Sequence, residues 1–254
     1  MPAPWYNDRM VPSPNQGRPG AAARPRAHAL RRAEAWVFDL DNTLYPPSTN
    51  LFAQIDERMR AFIARFLDLD LNEARRVQKT YFREYGTTLR GLMNRHGLDP
   101  GLFLEYVHAV DLDPVPPNPA LGAALARLRG RKYIFTNASA AHAGRITDRL
   151  GVTGHFDAVF DIADAEYVPK PEPRVYDALV QCHGLDPGKT VMIEDIARNL
   201  APAAALGMTT VWLRNDSPVG VEGADGDHVH HVIDDLVPWL EDVVADGAWR
   251  KRLS

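Results

Sequence analysis

The chain has 254 residues, 45% of them hydrophobic, with 29 Lys and Arg against 33 Asp and Glu for a formal net charge of −4. That is apolar material for one sizeable core, alone or with an insertion, and it offers no global basic field to a nucleic-acid polymer. No stretch approaches the roughly 18 consecutive apolar residues of a membrane span, no apolar signal segment follows the start, and the lone Cys182 allows no intramolecular disulfide, in keeping with a reducing, cytoplasmic setting.

Residues 1–32 interleave six prolines with Arg9, Arg18, Arg24, Arg26, Arg31 and Arg32. Such a segment buries too little apolar surface to offset its ordering entropy, which predicts a disordered tail. Ala35 to Phe38 then reads as a buried strand that stops at two carboxylates one residue apart, Asp39 and Asp41. In open α/β sheets ligands bind beyond the carboxyl ends of parallel strands. Two like charges so close call for a cation, a proton, or both.

The interval 46–119 is far longer than the usual βα loop of about 2 to 6 residues, so it is expected to be structured. Phe52, Ile55, Met59, Phe62, Ile63 and Phe66 recur at helical spacing, and Ala74 to Tyr85 and Leu102 to Val107 read as further helices. Leu121 to Leu128 reads as a helix and Lys132 to Phe135 as a strand ending at Thr136 and Asn137. His142 to Leu150 is a helix stopped by Gly151. A strand over Ala158 to Ile162 precedes Lys170, held between Pro169 and Pro171, and Pro173 to Leu179 is helical, with Cys182 near that helix's end. Thr190 to Ile193 is a strand leading to Glu194 and Asp195; Pro202 to Leu206 is a helix and Thr209 to Leu213 a strand. Asn215 to Asp227 reads as a surface loop, and His228, His230 and His231 as surface or edge-strand histidines, since no cysteine or carboxylate pattern accompanies them. Trp212 and Trp239 read as packing residues. Strands alternating with helices imply right-handed crossovers and a parallel sheet covered on both faces.

Four signatures stand in order along the chain: Asp39-Leu40-Asp41-Asn42-Thr43, Thr136-Asn137, Lys170, and Glu194-Asp195. In this the chain resembles the haloacid dehalogenase-like hydrolase superfamily. The resemblance implies an α/β fold: a Rossmann-like three-layer core (33–45 and 120–254) with a central parallel sheet, the first strand at its middle, and an inserted all-helical cap domain (46–119). It also implies a Mg2+-dependent phosphomonoester hydrolase working through an aspartyl-phosphate. Asp39 would be the nucleophile and Asp41 the acid and base. Lys170, Thr136 and Asn137 would bind the phosphate. Asp39, Asp195 and the main-chain oxygen of Asp41 would hold Mg2+, with Glu194 and Asn199 orienting what lies around it and Thr43 serving loop geometry.

Within the superfamily, Asp39 to Asn50 with Tyr45-Pro46-Pro47, the phrase Tyr85 to Leu92, and Tyr106-Val107-His108 with Asp111 look similar to the pyrimidine 5′-nucleotidase group. That likeness implies hydrolysis of UMP or CMP, with Tyr45, Tyr85, Arg90 and His108 as candidates to stack on or bond the base. His142 stands close enough to Thr136-Asn137 to meet substrate, yet its spacing reads more readily as a helix-surface histidine. Ala138 departs from the glycine expected of the group and is expected to narrow the approach to the phosphate loop. Other readings are a sugar-phosphate or similar phosphatase, a phosphomutase, a haloacid dehalogenase, or a non-catalytic phosphate-binding protein; Asp41 speaks against a dehalogenase, which expels halide without protonating it. The expected partner is a small phosphate ester as substrate, with no nucleic-acid polymer and no membrane, and the protein is expected to be a monomer or homodimer.

Overall fold

The computed structural model describes residues 30–249, so the tail expected over 1–32 lies almost wholly outside the described residues. Strand β1 is Ala35–Phe38; helices α1 (Leu51–Leu67), α2 (Leu71–Tyr85), α3 (Thr88–His96) and α4 (Pro100–His108) follow, then α5 (Pro119–Arg127) and β2 (Arg131–Phe135). After these come α6 (Ala140–Leu150), β3 (Ala158–Phe160), α7 (Pro173–His183), β4 (Thr190–Glu194), α8 (Leu200–Ala205), β5 (Thr209–Leu213), β6 (His231–Ile233) and α9 (Leu236–Trp249). Among the described residues no helix is long and apolar enough to cross a membrane.

The six strands form one sheet in the order β3-β2-β1-β4-β5-β6, and every neighbouring pair is parallel. β1 and β4 are buried along their whole length, as strands covered on both faces must be. Successive side chains point to opposite faces. Trp36, Phe38, Ile134 and Ile193 therefore enter one apolar cluster with α5, α6 and α9, and Val37, Tyr133, Phe135 and Met192 enter another with α7 and α8. The result is the expected three-layer α/β core with β1 in the middle. The strand order reverses between β1 and β4, and the crevice at the carboxyl ends of two such strands is the usual ligand site of the fold.

Two expectations are corrected here. The strand expected to run to Ile162 stops at Phe160 because the Asp161 carboxylate turns the chain, accepting from the amides of Ala163, Asp164 and Ala140 at 2.6–3.0 Å. The proposed α1 stripe is only partly buried: Ile55 and Ile63 are enclosed, whereas Phe52 and Phe66 are 44% and 41% exposed. The structure also adds α3, β6 and α9, which periodicity alone had not delimited. Trp212 is buried, and Trp239 packs edge-on to Trp36 at 6.3 Å. Cys182 lies near the end of α7 and is exposed.

Helices α1 to α4 share a third cluster of Ile63, Ala74, Leu89, Leu92, Phe103 and Val107. Gly91 lets α2 and α3 come this close, because a β-carbon there would sit 2.4 Å from Cβ of Tyr81. Asp70 caps α2 by accepting from the amides of Asn72 and Glu73.

Candidate active site

The tips of β1 and β4 hold a charged cluster. The Asp39 amide continues the sheet by donating to Ile193 O at 2.9 Å, and this places its side chain beside Glu194 and Asp195. Lys170, 3% exposed, reaches in between: its Nζ donates to Asp39 Oδ1 at 2.7 Å, Glu194 Oε2 at 2.7 Å and Phe135 O at 2.9 Å. Its backbone amide is held by Asn137 Oδ1 at 2.8 Å, so the side chain of Asn137 fixes the lysine loop. Asn199 Nδ2 donates to Glu194 Oε1 at 3.1 Å.

Three buried carboxylates face the ammonium of Lys170, and the site is short of positive charge. Burial and the Glu194 charge outweigh Lys170 and push the Asp39 carboxyl up to about 7. Burial, with the charges of Asp39 and Glu194, likewise raises Asp195. Burial opposes the charge on Lys170, but Asp39 and Glu194 prevail and hold its ammonium above its usual value. Ligand oxygens of Asp39, Glu194 and Asp195 all lie within 4.8 Å of one another. This donor set fits a hard divalent cation with oxygen ligands, which would supply the missing charge. Among the described residues it is the one such group of His, Cys or carboxylate ligands; His228 and His230 instead bond backbone atoms of Ala197 and Thr210.

Two partners of Asp195 escaped the sequence reading. Asn215 Nδ2 donates to Asp195 Oδ2 at 2.7 Å, and Trp212 Nε1 to Asp195 O at 2.9 Å. Asn215 had been assigned to a surface loop; its place just beyond a buried strand was the available hint.

Thr136 is buried and its hydroxyl accepts from the Ala138 amide at 3.0 Å. Ala138 sits in the first apolar cluster, so its methyl group is absorbed by the core and the expected narrowing is not needed to place it. Thr43 is buried, and its hydroxyl has no hydrogen-bond partner among the described residues. Asn42 takes a left-handed conformation, φ +61°, which asparagine tolerates better than most residues and which turns the chain after Asp41.

Asp41 is held in a separate network. Its Oδ1 accepts from Tyr45 Oη at 2.6 Å and lies 3.2 Å from His142 Nε2. Burial opposes ionisation of Asp41, but the His142 and Tyr45 contacts outweigh it and keep the carboxyl below its usual range. His142 is 1% exposed, which corrects the helix-surface expectation: the first turn of α6 sits against the β1 tip. The ring of His108 stacks on His142 at 4.3 Å, and its Nδ1 meets Ser139 Oγ at 3.0 Å. Burial and His142 push His108 down to about 3, so its ring is neutral.

The candidates to meet substrate thus divide. Tyr45, His108 and His142 gather at Asp41, whereas Tyr85 and Arg90 line a cavity of about 440 Å³ against Pro169 and Pro171, a lining that includes neither Asp39 nor Asp41.

The family description haloacid dehalogenase-like hydrolase matches residues 33–207. The chain is 27% identical to Phosphate metabolism protein 8 of Saccharomyces cerevisiae, over 86% of this chain and 68% of that protein. It is also 27% identical to a glyceraldehyde 3-phosphate phosphatase of Methanopyrus kandleri, over 85% of this chain and 98% of that one. Among solved structures, a HAD phosphatase from Thermococcus onnurineus superposes with a TM-score of 0.57 at 20% identity, over 83% of this chain and 97% of that one. L-2-haloacid dehalogenase from Xanthobacter autotrophicus gives 0.52 at 18% identity, over 83% and 98%. At these identities the structural likeness speaks to fold alone.

Proposed function

The chain belongs to the haloacid dehalogenase-like hydrolase family, and from that premise we propose that it is a Mg2+-dependent phosphatase of a small phosphate ester, with residues 46–119 as a cap over the core. The observation that carries this reading is the convergence of Asp39, Lys170 and the pair Glu194-Asp195, from three separate parts of the chain, on one buried cluster at the sheet's switch point. The phosphatase names of relatives covering most of this chain support the same reaction class.

Asp39 attacks phosphorus, the ester P–O bond breaks, and a proton passes from Asp41 to the departing oxygen. Asp41 is ionised in the ligand-free protein, so it takes up this proton as an anionic ester arrives and raises its proton affinity. Water then attacks the aspartyl-phosphate, giving a proton back to Asp41 and freeing inorganic phosphate. Lys170 steadies the Asp39 carboxylate, and the Thr136 hydroxyl and Asn137 amide receive the phosphoryl oxygens. Asp39, Asp195 and the Asp41 main-chain oxygen, with Glu194 and Asn199 around them, would hold Mg2+, which would supply positive charge to the phosphoryl group when bound. Asp41 distinguishes this chemistry from dehalogenation, in which the leaving halide needs no proton.

The resemblance to pyrimidine 5′-nucleotidases supports UMP or CMP as the ester. A triose or sugar phosphate is favoured by a specific observation: Tyr45 and His108 are engaged with protein groups, and Tyr85 and Arg90 line a cavity whose lining does not include Asp39. A phosphate-release panel of nucleoside monophosphates, triose phosphates and sugar phosphates, with and without Mg2+, decides the matter. Mg2+-dependent release from at least one class is expected; release from none, or phosphoryl transfer between sugar positions without net release, overturns the phosphatase reading.

A further inference from the structure

The Tyr45–Asp41–His142–His108 network contains more than the proposed reaction has used. Tyr45 Oη and His142 Nε2 both converge on the same oxygen of Asp41, Oδ1, at 2.6 and 3.2 Å. Among the described residues Oδ2 has no hydrogen-bond partner. A carboxylate with one oxygen doubly held and the other open has lost most of its freedom about the last side-chain torsion.

The ring of His142 is itself fixed from behind. Its Nδ1 is buried with no partner among the described residues. A carboxylate oxygen 3.2 Å from a ring nitrogen needs a donor there, and Nδ1 has no acceptor to claim a proton in preference, so Nε2 carries a proton, facing Asp41. Ser139 Oγ accepts from the His142 amide at 3.3 Å and contacts His108 Nδ1 at 3.0 Å. His108, the last residue of α4, lies flat against His142, with an interplanar angle of 17°. Arg145, on α6, clasps the same stretch of backbone by donating to His108 O at 2.7 Å and Val110 O at 2.9 Å. The end of the helical insert is thereby bolted to the core helix that carries His142.

We propose that Tyr45 and His142 are positioning residues that pin Asp41 through Oδ1, leaving Oδ2 as the atom that hands its proton to the leaving oxygen, and that His108 holds the His142 ring in that pose. This rests on the phosphatase reading and deepens it. The pin serves Asp41 in both of its roles, but only in the first, delivery of a proton to the leaving oxygen, does the need for it depend on the ester. An activated aryl oxygen departs without that help.

The test compares the full-length protein with its Tyr45→Phe, His142→Leu, His142→Gln and His108→Ala variants, using an alkyl phosphate and p-nitrophenyl phosphate with Mg2+ present. The expected result is a loss in kcat/KM, which reports the steps through transfer to Asp39 and not the later hydrolysis common to both esters, at least tenfold greater on the alkyl than on the aryl ester for Tyr45→Phe, His142→Leu and His108→Ala. His142→Gln, whose side-chain amide places a donor near the former Nε2, recovers part of the loss. Equal losses on both esters, or no loss on either, overturn the proposal. Wild-type protein inactive on both esters strikes the phosphatase reading instead, and for that case a readout without substrate stands by. Nitrogen-15 NMR of the His142 ring in the wild-type protein is expected to show a proton on Nε2, and an Nε2 without a proton overturns the pin whatever the enzyme hydrolyses.

Discussion

The charge shortage at the β1 tip makes Asp39 a stability liability that metal removal exposes. In the unfolded chain its carboxyl has a pKa of 3.8, whereas in the fold it is raised to about 7. Between these values the folded state binds the extra proton. The Asp39 contribution is therefore most favourable below about pH 4 and is lost progressively as pH rises toward 7. At about 1.4 kcal/mol for each tenfold change in proton affinity, the full loss is roughly 4 kcal/mol. Asp39→Asn keeps the shape of the protonated acid and cannot ionise. In chelator-treated protein the variant is expected to match the wild type near pH 4 and to exceed it at about pH 7.5 by a few kcal/mol, or roughly 10 °C in Tm for a chain of this size. Added Mg2+ should narrow the gap by binding the wild type more tightly. Thermal denaturation from pH 4 to 8, with and without Mg2+, reads all of this. Superimposable Tm curves for the two proteins, or a variant that is the less stable one at the higher pH without metal, would refute the reasoning.

Three further expectations follow from single contacts. Lys170→Met leaves Asp39 and Glu194 without their buried cation, so turnover should vanish and stability should fall by ~3–5 kcal/mol at neutral pH, recovering on acidification as the carboxylates take up protons; a pH-independent Tm speaks against it. Asn215→Ala frees the Asp195 oxygen it now holds at 2.7 Å and should weaken Mg2+ activation by roughly 10-fold or more, whereas an unchanged Mg2+ titration removes Asn215 from the site. Gly91→Ala gains about 1 kcal/mol of helix propensity but drives a methyl group to 2.4 Å from Tyr81 Cβ, an overpacking cost of ~1–3 kcal/mol; the variant should melt lower, and a higher Tm contradicts the close approach of α2 and α3.

The fold was legible where a short-range pattern suffices. Runs such as Trp36-Val37-Phe38 and Val191-Met192-Ile193 announce strands buried on both faces, and a carboxylate following each run marks the strand tip. Helix α3 was hidden because it is only 9 residues long and has Gly91, a poor helix former, near its middle, and glycine is there for the sake of Tyr81, a residue on another helix. The same holds at the site. Asp39, Lys170 and Asp195 stood out by their places after strands or between prolines, whereas the partners that tune them did not. His142 lies 101 residues from Asp41, and nothing in its local sequence says that the first turn of α6 abuts the β1 tip. Asn215 looked like any loop residue until β5 delivered it beside Asp195. Tyr45 and His108 were noticed as aromatic or polar residues near the site, but with substrate in mind; their hydrogen bonds to protein groups are a property of the assembled fold.

Covalent chemistry at Asp39 is the centre of this account, and the most direct measurement is mass spectrometry of the wild-type protein quenched in acid while turning over a phosphate ester with Mg2+. A peptide containing Asp39 should carry one phosphoryl group, labile to hydroxylamine and absent from Asp39→Asn. A protein that releases phosphate at full rate while that peptide stays unmodified, or that carries the label elsewhere, contradicts it.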